Sequence, residues 1–286
     1  MSSGFGFLKG HGTENDFVLL PDPDGTVHGE LTPDVVARLC DRRAGLGGDG
    51  VLRAVRTTAY DDPASVAARD QAEWFMDYRN ADGSTSQMCG NGLRVFGRYL
   101  VEHQGVDPAR PLGVGTRDGV KTLTFGGHGV TVDMGRPRML GETKVGVGSG
   151  GAERSWPALH VSMGNPHAVA FVDSLDEAGP LLDPPRHDAA DFPAGANVEF
   201  VARRGEHHLA MRVHERGSGE TRSCGTGACA VVVAAALADG AKRNTTYQVD
   251  VLGGTLHVTW TDTGRVLLTG PAVLVAEGTW LEMSSR

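Results

Sequence analysis

Two cysteines stand in the same short motif, half a chain apart. Cys89 begins the sequence CGNG and Cys224 begins CGTG, and a helical stretch follows each of them. The approaches also correspond, because a polar, turn-rich segment precedes each cysteine. A helix N-terminus has unpaired backbone N–H groups and a partial positive charge, so it favours both a thiolate and an anionic ligand. The glycines beside position 91 let the backbone approach such a ligand closely.

Two such motifs facing each other could hold one carboxylate between two helix ends, with a sulfur on either side. That arrangement suits proton transfer at the carbon next to the carboxylate: one thiolate removes a proton from one face and the opposite thiol returns one to the other. Fixed dipoles in a pocket without water would stabilise the developing charge, so we expect no pyridoxal and no other cofactor. A thiol needs only a modest shift from its reference pKa of about 8.5 to work near pH 7.

The cysteines have other possible roles, which the sequence disfavours but does not exclude. A single cysteine before a turn is usually a small buried residue, although its recurrence in the same motif disfavours that here. Zinc and redox sites favour C-x-x-C spacing, which Cys224 and Cys229 lack, so we expect no metal. A protease nucleophile would leave the second motif unexplained. Cys40 and Cys229 lie on helical segments among Val, Leu and Ala, and we predict both to be core residues.

The composition favours a protein that acts on a small molecule. The 286 residues are 40% hydrophobic and 22% charged, and the net charge of −8 with scattered arginines argues against nucleic acid or an anionic membrane as partner. The longest apolar run, at 228–238, is shorter than the roughly 20 residues of a membrane span. The N-terminal residues do not resemble a signal peptide, so we expect a cytoplasmic protein with reduced thiols.

Strand-like segments outnumber helical ones along the chain. A helix is predicted at 32–43, with Thr32 at its N-cap and Pro33 in its first turn. The polar segment 57–72 and the Gly-rich segment 141–155 are both predicted to be loops. GLGGDG at 45–50 follows a helix and precedes a strand, the reverse of a dinucleotide-binding loop, and is interpreted as a turn. Strands are predicted at 16–22, 51–56, 73–80, 160–173 with a central turn, 197–203 and 208–216, and in a final series from Tyr247 onward.

The repeat indicates two similar domains that face each other. GTENDFVLL at 12–20 and GNPHAVAFV at 164–172 are related polar turns that each lead into a strand. The helix at 227–240 is apolar on nearly all sides, which predicts that a curved sheet of its own domain surrounds it. The expected class is therefore a mixed α/β, or α+β, chain.

Six motifs in this order resemble the diaminopimelate epimerase family over nearly the whole chain: HGTENDF, RRAGLGGDG, YRNADGSTSQMCGNG, GNPHAV, NVEF and HERGSGETRSCGTGACA. The resemblance implies two pseudo-symmetric domains, each a mixed curled β-sheet around a central helix, with the active site in the cleft between them. It places Cys89 in an N-terminal domain of residues 1–125 plus the C-terminal return 274–286. Cys224 then belongs to a domain of residues 126–273.

The resemblance also implies a function. Members of the family are pyridoxal-independent isomerases that convert LL-2,6-diaminopimelate to its meso form on the route to lysine and peptidoglycan, and homodimers are expected. One alternative is a related two-cysteine enzyme of the proline racemase type, which would have little use for a distal-end arginine and several asparagines. Another is a non-catalytic amino-acid-binding protein with the same fold.

The resemblance assigns site residues by their place in the motifs. Cys89 and Cys224 would be the acid–base pair, with proton positions on the thiols influenced by His167 and Glu215. The substrate's α-carboxylate would meet the helix starts at Gly90, Asn91, Gly225 and Thr226. The ammonium group at the reacting carbon would be held by Asn15 and Glu215. The distal end of the substrate would be recognised by Asn80, Asn165, Asn197 and Arg216.

The chain departs from the family pattern in a few places. Gly50 stands where many members have Gln, so any side-chain contact to substrate from that position is lost. Glu14 stands where Gly is frequent and brings a charge near the site. The segments 57–72 and 141–155 are longer than the minimal family pattern.

Overall fold

The computed structural model describes residues 4–148 and 153–281. The chain divides into two compact units, the first made of Met1–Val132 with Pro271–Arg286 and the second of Asp133–Gly270. The domain boundaries expected from the family resemblance stay a prediction.

The elements follow one another in an order dominated by strands. The first part contains β1 (Gly4–Gly12), β2 (Asn15–Pro21), α1 (Pro33–Cys40), β3 (Gly50–Arg56), α2 (Pro63–Ala68), β4 (Trp74–Asn80), α3 (Gly90–His103), β5 (Leu112–Thr116), β6 (Gly119–Gly126) and β7 (Gly129–Asp133). The second part contains β8 (Arg138–Val147), β9 (Arg154–Ser162), β10 (Pro166–Phe171), β11 (Arg186–His187), β12 (Asn197–Gly205), β13 (His208–Glu215), β14 (Gly219–Thr221), α4 (Gly225–Asp239), β15 (Thr246–Val251), β16 (Gly254–Trp260), β17 (Val266–Gly270) and β18 (Val273–Leu281). Short 3-10 helices lie at Thr57–Ala59 and Leu175–Ala178.

The first unit is a mixed sheet curled around α3. Its strand order is β18-β1-β2-β3-β4-β5-β6-β7, and only the β2–β3 and β4–β5 pairs are parallel. Helix α3 contacts strands from both ends of this order, including β18, β1, β4 and β6. A sheet can touch one helix along so many strands only by bending around it. Residues Leu93, Val95, Phe96, Tyr99 and Leu100 form the buried apolar side of α3.

The second unit repeats the same pairing scheme. Strands β8, β9 and β10 are antiparallel neighbours, β10 pairs in parallel with β12, and β13 pairs in parallel with β15, with antiparallel pairs elsewhere. Helix α4 follows β13 and the short strand β14, whereas α3 follows β4 directly. Helix α4 contacts β9, β10, β12, β15, β16 and β17. The predicted internal repeat and the mixed α+β class are therefore confirmed.

The composition of α4 explains its central position. Every residue from Ala228 to Ala236 is buried, as the apolar sequence predicted. The helix ends at Gly240, whose φ of 59° lies in the left-handed region that glycine tolerates. Cys229 and Cys40 are both buried, which confirms their assignment to the core.

Two sequence-based predictions of loops were wrong. Segment 57–72 contains a 3-10 helix and α2, whose start has a clear signal: the Asp62 carboxylate accepts a hydrogen bond from Ala64 N at 2.9 Å and Pro63 occupies the first helical position. The polar composition of the segment favoured the prediction of a loop despite that signal. Segment 141–155 lies largely in β8 and at the start of β9. Strand β8 pairs with β9 on one side and with β11 on the other, so the segment belongs to the sheet. Residues 149–152 of this segment lie outside the described residues.

The remaining predicted elements are confirmed. Helix α1 begins at Pro33, after Thr32, and ends at Cys40, three residues before the predicted end. The GLGGDG sequence is the turn between α1 and β3. Across the described ranges, the structure has no helix long and apolar enough to cross a membrane.

Candidate active site

Cys89 is the N-cap residue of α3. Its backbone is extended, with φ −139° and ψ 119°, and its carbonyl accepts the first helical hydrogen bond, from Leu93 N at 2.8 Å. The Gly92 N–H donates to Cys89 Sγ over 3.4 Å. The sulfur is half-buried at the end of a helix with one backbone N–H directed at it, an environment that favours a thiolate.

A chain of side-chain amides fixes the orientation of Asn15 beside this thiol. Arg94 Nη1 donates to Asn91 Oδ1 at 2.8 Å, Asn91 Nδ2 donates to Asn15 Oδ1 at 3.1 Å, and Asn15 Nδ2 donates to Asp49 Oδ2 at 2.7 Å. A guanidinium can only donate and a carboxylate can only accept, so the two charged ends determine the orientation of both amides. Asn15 Oδ1 therefore faces Cys89, whose S–H donates to it over 3.7 Å.

Asp49 is itself held by neighbouring charges. Arg42 Nη2 lies 2.7 Å from Asp49 Oδ1 and 2.7 Å from Asp16 Oδ1, and Lys9 also pairs with Asp16. Burial alone would raise the pKa of Asp16, but its hydrogen bonds and ion pairs with Arg42 and Lys9 outweigh burial and hold that pKa well below its usual range. The turn that precedes β3 therefore presents a fixed acceptor to Asn15.

Asn80 and Gly50 lie at the ends of paired strands, and Glu14 lies in the turn between β1 and β2. Asn80 closes β4 opposite Gly50, and its Nδ2 donates to Ser84 Oγ at 3.0 Å. A Cβ added at Gly50 would lie 2.5 Å from the carbonyl oxygen of Arg79, so the backbone would have to move before any side chain could occupy this position. Glu14 has φ 60°, in the left-handed region, which is consistent with a position where glycine is frequent.

Cys224 is the N-cap residue of α4 in the second unit. Its backbone is extended at φ −120°, and its carbonyl accepts a hydrogen bond from Ala228 N at 3.0 Å. Only 5% of the residue is exposed. Burial and the charges of Glu215 and Glu199 raise the pKa of the Cys224 thiol well above its usual value, against the hydrogen bond with Thr226. Cys224 thus favours its protonated form.

A hydrogen-bonded chain leads from Cys224 into the core of the second unit. Cys224 Sγ lies 3.5 Å from Thr226 Oγ1, which accepts a hydrogen bond from Asn165 Nδ2 at 3.2 Å. Asn165 Oδ1 lies 3.0 Å from His167 Nε2, and His167 Nδ1 lies 2.6 Å from Glu199 Oε1. Both His167 and Glu199 are fully buried. These hydrogen bonds connect Thr226, Asn165 and His167, three of the predicted site residues, to Cys224.

The other predicted residues of the second unit lie at the ends of β12 and β13. Glu215 closes β13, where burial raises its pKa against hydrogen bonds with Thr221 and Cys224. Asn197 Oδ1 accepts a hydrogen bond from Arg216 N at 2.9 Å. The exposed Arg216 side chain donates from Nη1 to Ala194 O at 3.1 Å. Asn197 and Arg216 therefore form a cluster of their own.

The four helix-start residues lie where the motif predicts. Gly90 and Asn91 are the first two residues of α3, and Gly225 and Thr226 are the first two of α4. A Cβ at the next glycine of the second motif, Gly227, would lie 2.8 Å from Glu199 Oε1 and 3.3 Å from Cys224 Sγ. That position therefore requires glycine because the thiol and a carboxylate approach the backbone from its side.

Three polar residues near the cysteines were missed from the sequence. Glu199 is a lone acid in the apolar strand NVEFVA, and its isolation was a usable signal. Asp49 belongs to the GLGGDG turn, which was assigned no role beyond the turn. Arg94 is fully buried in α3, where nothing in the sequence distinguishes it from an exposed charge. Among the described residues, no group of three or more His, Cys, Asp or Glu side chains is placed to hold a metal ion.

Comparison with known proteins identifies close relatives across the whole chain. The family model described as diaminopimelate epimerase matches residues 7–140 and 159–275. A diaminopimelate epimerase of Streptomyces coelicolor is 58% identical over 294 residues, covering 99% of each chain. One from Thermobifida fusca is 49% identical over 275 residues, covering 95% of this chain and 96% of the relative.

Solved structures with much lower identity share the fold. A phenazine biosynthesis protein of the PhzF family from Bacillus anthracis has a TM-score of 0.69 at 16% identity, covering 98% of this chain and all of its own. A hydroxyproline epimerase from Agrobacterium vitis has a TM-score of 0.64 at 13% identity, covering 97% of this chain and 91% of its own. At these identities the likeness concerns the fold alone.

Proposed function

The chain belongs to the diaminopimelate epimerase family, and from this premise we propose that it interconverts LL-2,6-diaminopimelate and meso-diaminopimelate through Cys89 and Cys224. The observation that carries the proposal is the repetition of an N-cap cysteine in the C-G-x-G motif, once in each unit on an equivalent helix. The proposed reaction serves lysine and peptidoglycan precursor synthesis, as the family resemblance implies.

The two thiols take opposite parts in one reaction. Cys89, as thiolate, removes the proton from the α-carbon, and Cys224, which holds its proton tightly, donates that proton to the opposite face. After one turnover Cys89 carries a proton and Cys224 has lost one. The reverse reaction starts from that state, so each direction restores the proton distribution that the other requires.

The orientation of Asn15 links substrate binding to the ionisation of Cys89. The substrate's ammonium group is a donor and needs an acceptor, which Asn15 Oδ1 supplies together with Glu215. That oxygen already accepts from Asn91, and its second acceptor position receives the Cys89 S–H. An ammonium group that takes this position displaces the Cys89 S–H from Asn15 Oδ1, while the Gly92 N–H still donates to the sulfur and favours the thiolate.

The remaining predicted residues bind the two ends of the substrate. The α-carboxylate meets the backbone N–H groups at the two helix starts, where the helix dipoles also stabilise the negative charge that develops during proton abstraction. The distal amino-acid end needs a cation and neutral amides, because it carries one carboxylate and one ammonium group. These contacts are assigned to Asn80, Asn165, Asn197 and Arg216.

The wider setting follows from the family. The two compact units are assigned as the two epimerase domains, each of which contributes one cysteine. The enzyme is expected in the cytoplasm as a homodimer that needs no cofactor. Size-exclusion chromatography with light scattering tests the dimer directly, because a monomeric mass with full activity would contradict it.

Incubation with LL-diaminopimelate in D₂O, with no pyridoxal added, tests the reaction and the substrate together. We expect deuterium at one α-carbon of the meso product, because the proton returned by Cys224 exchanges with solvent before turnover. Inversion of proline but not of diaminopimelate would instead identify an enzyme of the proline racemase type. Binding of diaminopimelate without any exchange would identify a non-catalytic binding protein.

A further inference from the structure

The two units place different residues beneath their equivalent cysteines. In the first unit, the parallel β2–β3 ladder begins at the pair Phe17–Gly50, and in the second unit the parallel β10–β12 ladder begins at the pair His167–Asn197. By this register Phe17 corresponds to His167. Two residues further along the second strand of each pair, Leu52 corresponds to Glu199. The Cβ atoms built on the equivalent glycines Gly92 and Gly227 have Leu52 and Glu199 as their nearest neighbours, which supports the correspondence.

This correspondence shows that the fold does not need an ionisable pair at these positions. Phe17 and Leu52 are both fully buried and fill the space under Cys89 with apolar groups. In the second unit the same space holds His167 and Glu199, also fully buried. Burying two ionisable groups is costly compared with apolar residues of similar size. The pair in the second unit therefore points to a role other than packing.

The hydrogen-bond pattern defines where the protons of the His167–Glu199 pair lie. Asn165 Nδ2 donates to Thr226, so Asn165 Oδ1 can only accept, and His167 Nε2 must carry a proton. The contact of 2.6 Å between His167 Nδ1 and Glu199 Oε1 needs one further proton between the two atoms. Glu199 Oε2 is buried and has no hydrogen-bond partner within the described ranges. The carboxyl group is thus committed to His167 alone.

The same hydrogen bonds determine which group donates to the sulfur of Cys224. Since Thr226 Oγ1 accepts from Asn165, its hydroxyl proton remains for Cys224 Sγ, 3.5 Å away. A hydroxyl that donates to sulfur stabilises the thiolate formed after Cys224 has given up its proton. We propose that Glu199 is a positioning residue that keeps His167 Nε2 protonated and, through Asn165 and Thr226, aims the Thr226 hydroxyl at Cys224. The inference rests on the proposed function, because it assigns Cys224 a proton-transfer role.

A matched pair of substitutions separates proton placement from charge and from packing. In Glu199→Gln the side-chain amide can donate to His167 Nδ1, so Nε2 keeps its proton, and kcat is expected to stay within about threefold of the parent. In Glu199→Leu nothing fixes the tautomer of His167, and kcat is expected to fall about tenfold, the loss that one hydrogen bond to a charged sulfur corresponds to. Asp250→Leu is the control, since Asp250 pairs with His208 at 2.7 Å elsewhere in the same unit and should leave kcat unchanged.

A double-mutant cycle tests the connection to the sulfur. Thr226→Val removes the hydroxyl, and adding Glu199→Leu to it should cause no further loss of kcat, because both changes interrupt one chain. Additive losses, an unchanged kcat in Glu199→Leu, or an equal loss in Glu199→Gln would each overturn the proposal. If Glu199→Leu does not fold, the double variant His167→Phe/Glu199→Leu reproduces the apolar pair of the first unit and is expected to fold and to show at least the same loss.

The proposed function has its own, separate test. Turnover by Cys224→Ala would refute the acid–base role of that cysteine, whatever the result at Glu199. An inactive Cys224→Ala variant together with a fully active Glu199→Leu variant would refute only the positioning role.

Discussion

Replacing Gly227 by Ala is expected to damage the Cys224 motif, and its equivalent in the other motif provides a matched control. The new Cβ would lie 2.8 Å from Glu199 Oε1, about 0.6 Å closer than ordinary van der Waals contact. Glu199 is fully buried and held at 2.6 Å from His167, so the clash cannot be relieved by a freely moving side chain. Overpacking of this kind costs about 1–3 kcal/mol, and the gain of about 1 kcal/mol from Ala over Gly in a helix offsets only part of it.

We therefore expect Gly227→Ala to lower the free energy of unfolding by up to about 2 kcal/mol, seen as a melting temperature lower by up to about 3 °C. Displacement of the helix start by a few tenths of an ångström should reduce kcat about tenfold or more. In Gly92→Ala the nearest atom is the flexible end of Leu52, at 3.1 Å, so stability and kcat should change much less. Calorimetry and initial rates measure both effects, and equal stability and activity of the two variants would refute the argument.

Three further predictions concern the thiols and their neighbours. Cys89→Ala and Cys224→Ala should each abolish epimerisation in both directions while diaminopimelate binding, measured by calorimetry, survives; turnover in either variant would contradict the two-base reaction. Glu215→Gln removes a charge that raises the pKa of Cys224, so thiolate absorbance in a Cys89→Ala background should appear at lower pH than in that background alone; an upward or absent shift would contradict this assignment. Asp49→Ala removes the acceptor that orients Asn15 and should raise KM about tenfold, whereas Asp49→Asn keeps an acceptor oxygen and should raise it less; equal effects would show that orientation is not the cause.

Most of the fold could be predicted because its elements have strong local signals. Helix α4 is apolar on every side, and strand segments such as 51–56 and 197–203 are bounded by turns. Segments 57–72 and 141–155 were mispredicted because composition was weighed above local signals. Asp62-Pro63 is a helix start inside a polar segment, and β8 is a strand whose exposed residues provide no alternating pattern.

The positions of the cysteines could be predicted, but their surroundings could not. A repeated motif fixes what precedes a helix, because capping is a local property. The partners of Asn15 or His167 depend instead on strand register, which brings together residues that are distant along the chain. Asp49 and Glu199 contact them across 34 and 32 residues respectively. No pattern confined to one motif indicates such a contact.

The pairing scheme shared by the two units also bears on the opposite parts that we propose for the two cysteines. Register places Gly50 and Asn80 of the first unit at the positions of Asn197 and Glu215 in the second. The first unit thus presents a neutral residue where the second has a carboxylate. A carboxylate near a thiol opposes its ionisation, whereas neutral amides and a helix N-terminus do not. We therefore propose that burial, together with the charges of Glu215 and Glu199, keeps the proton on Cys224 and leaves the first proton abstraction to Cys89.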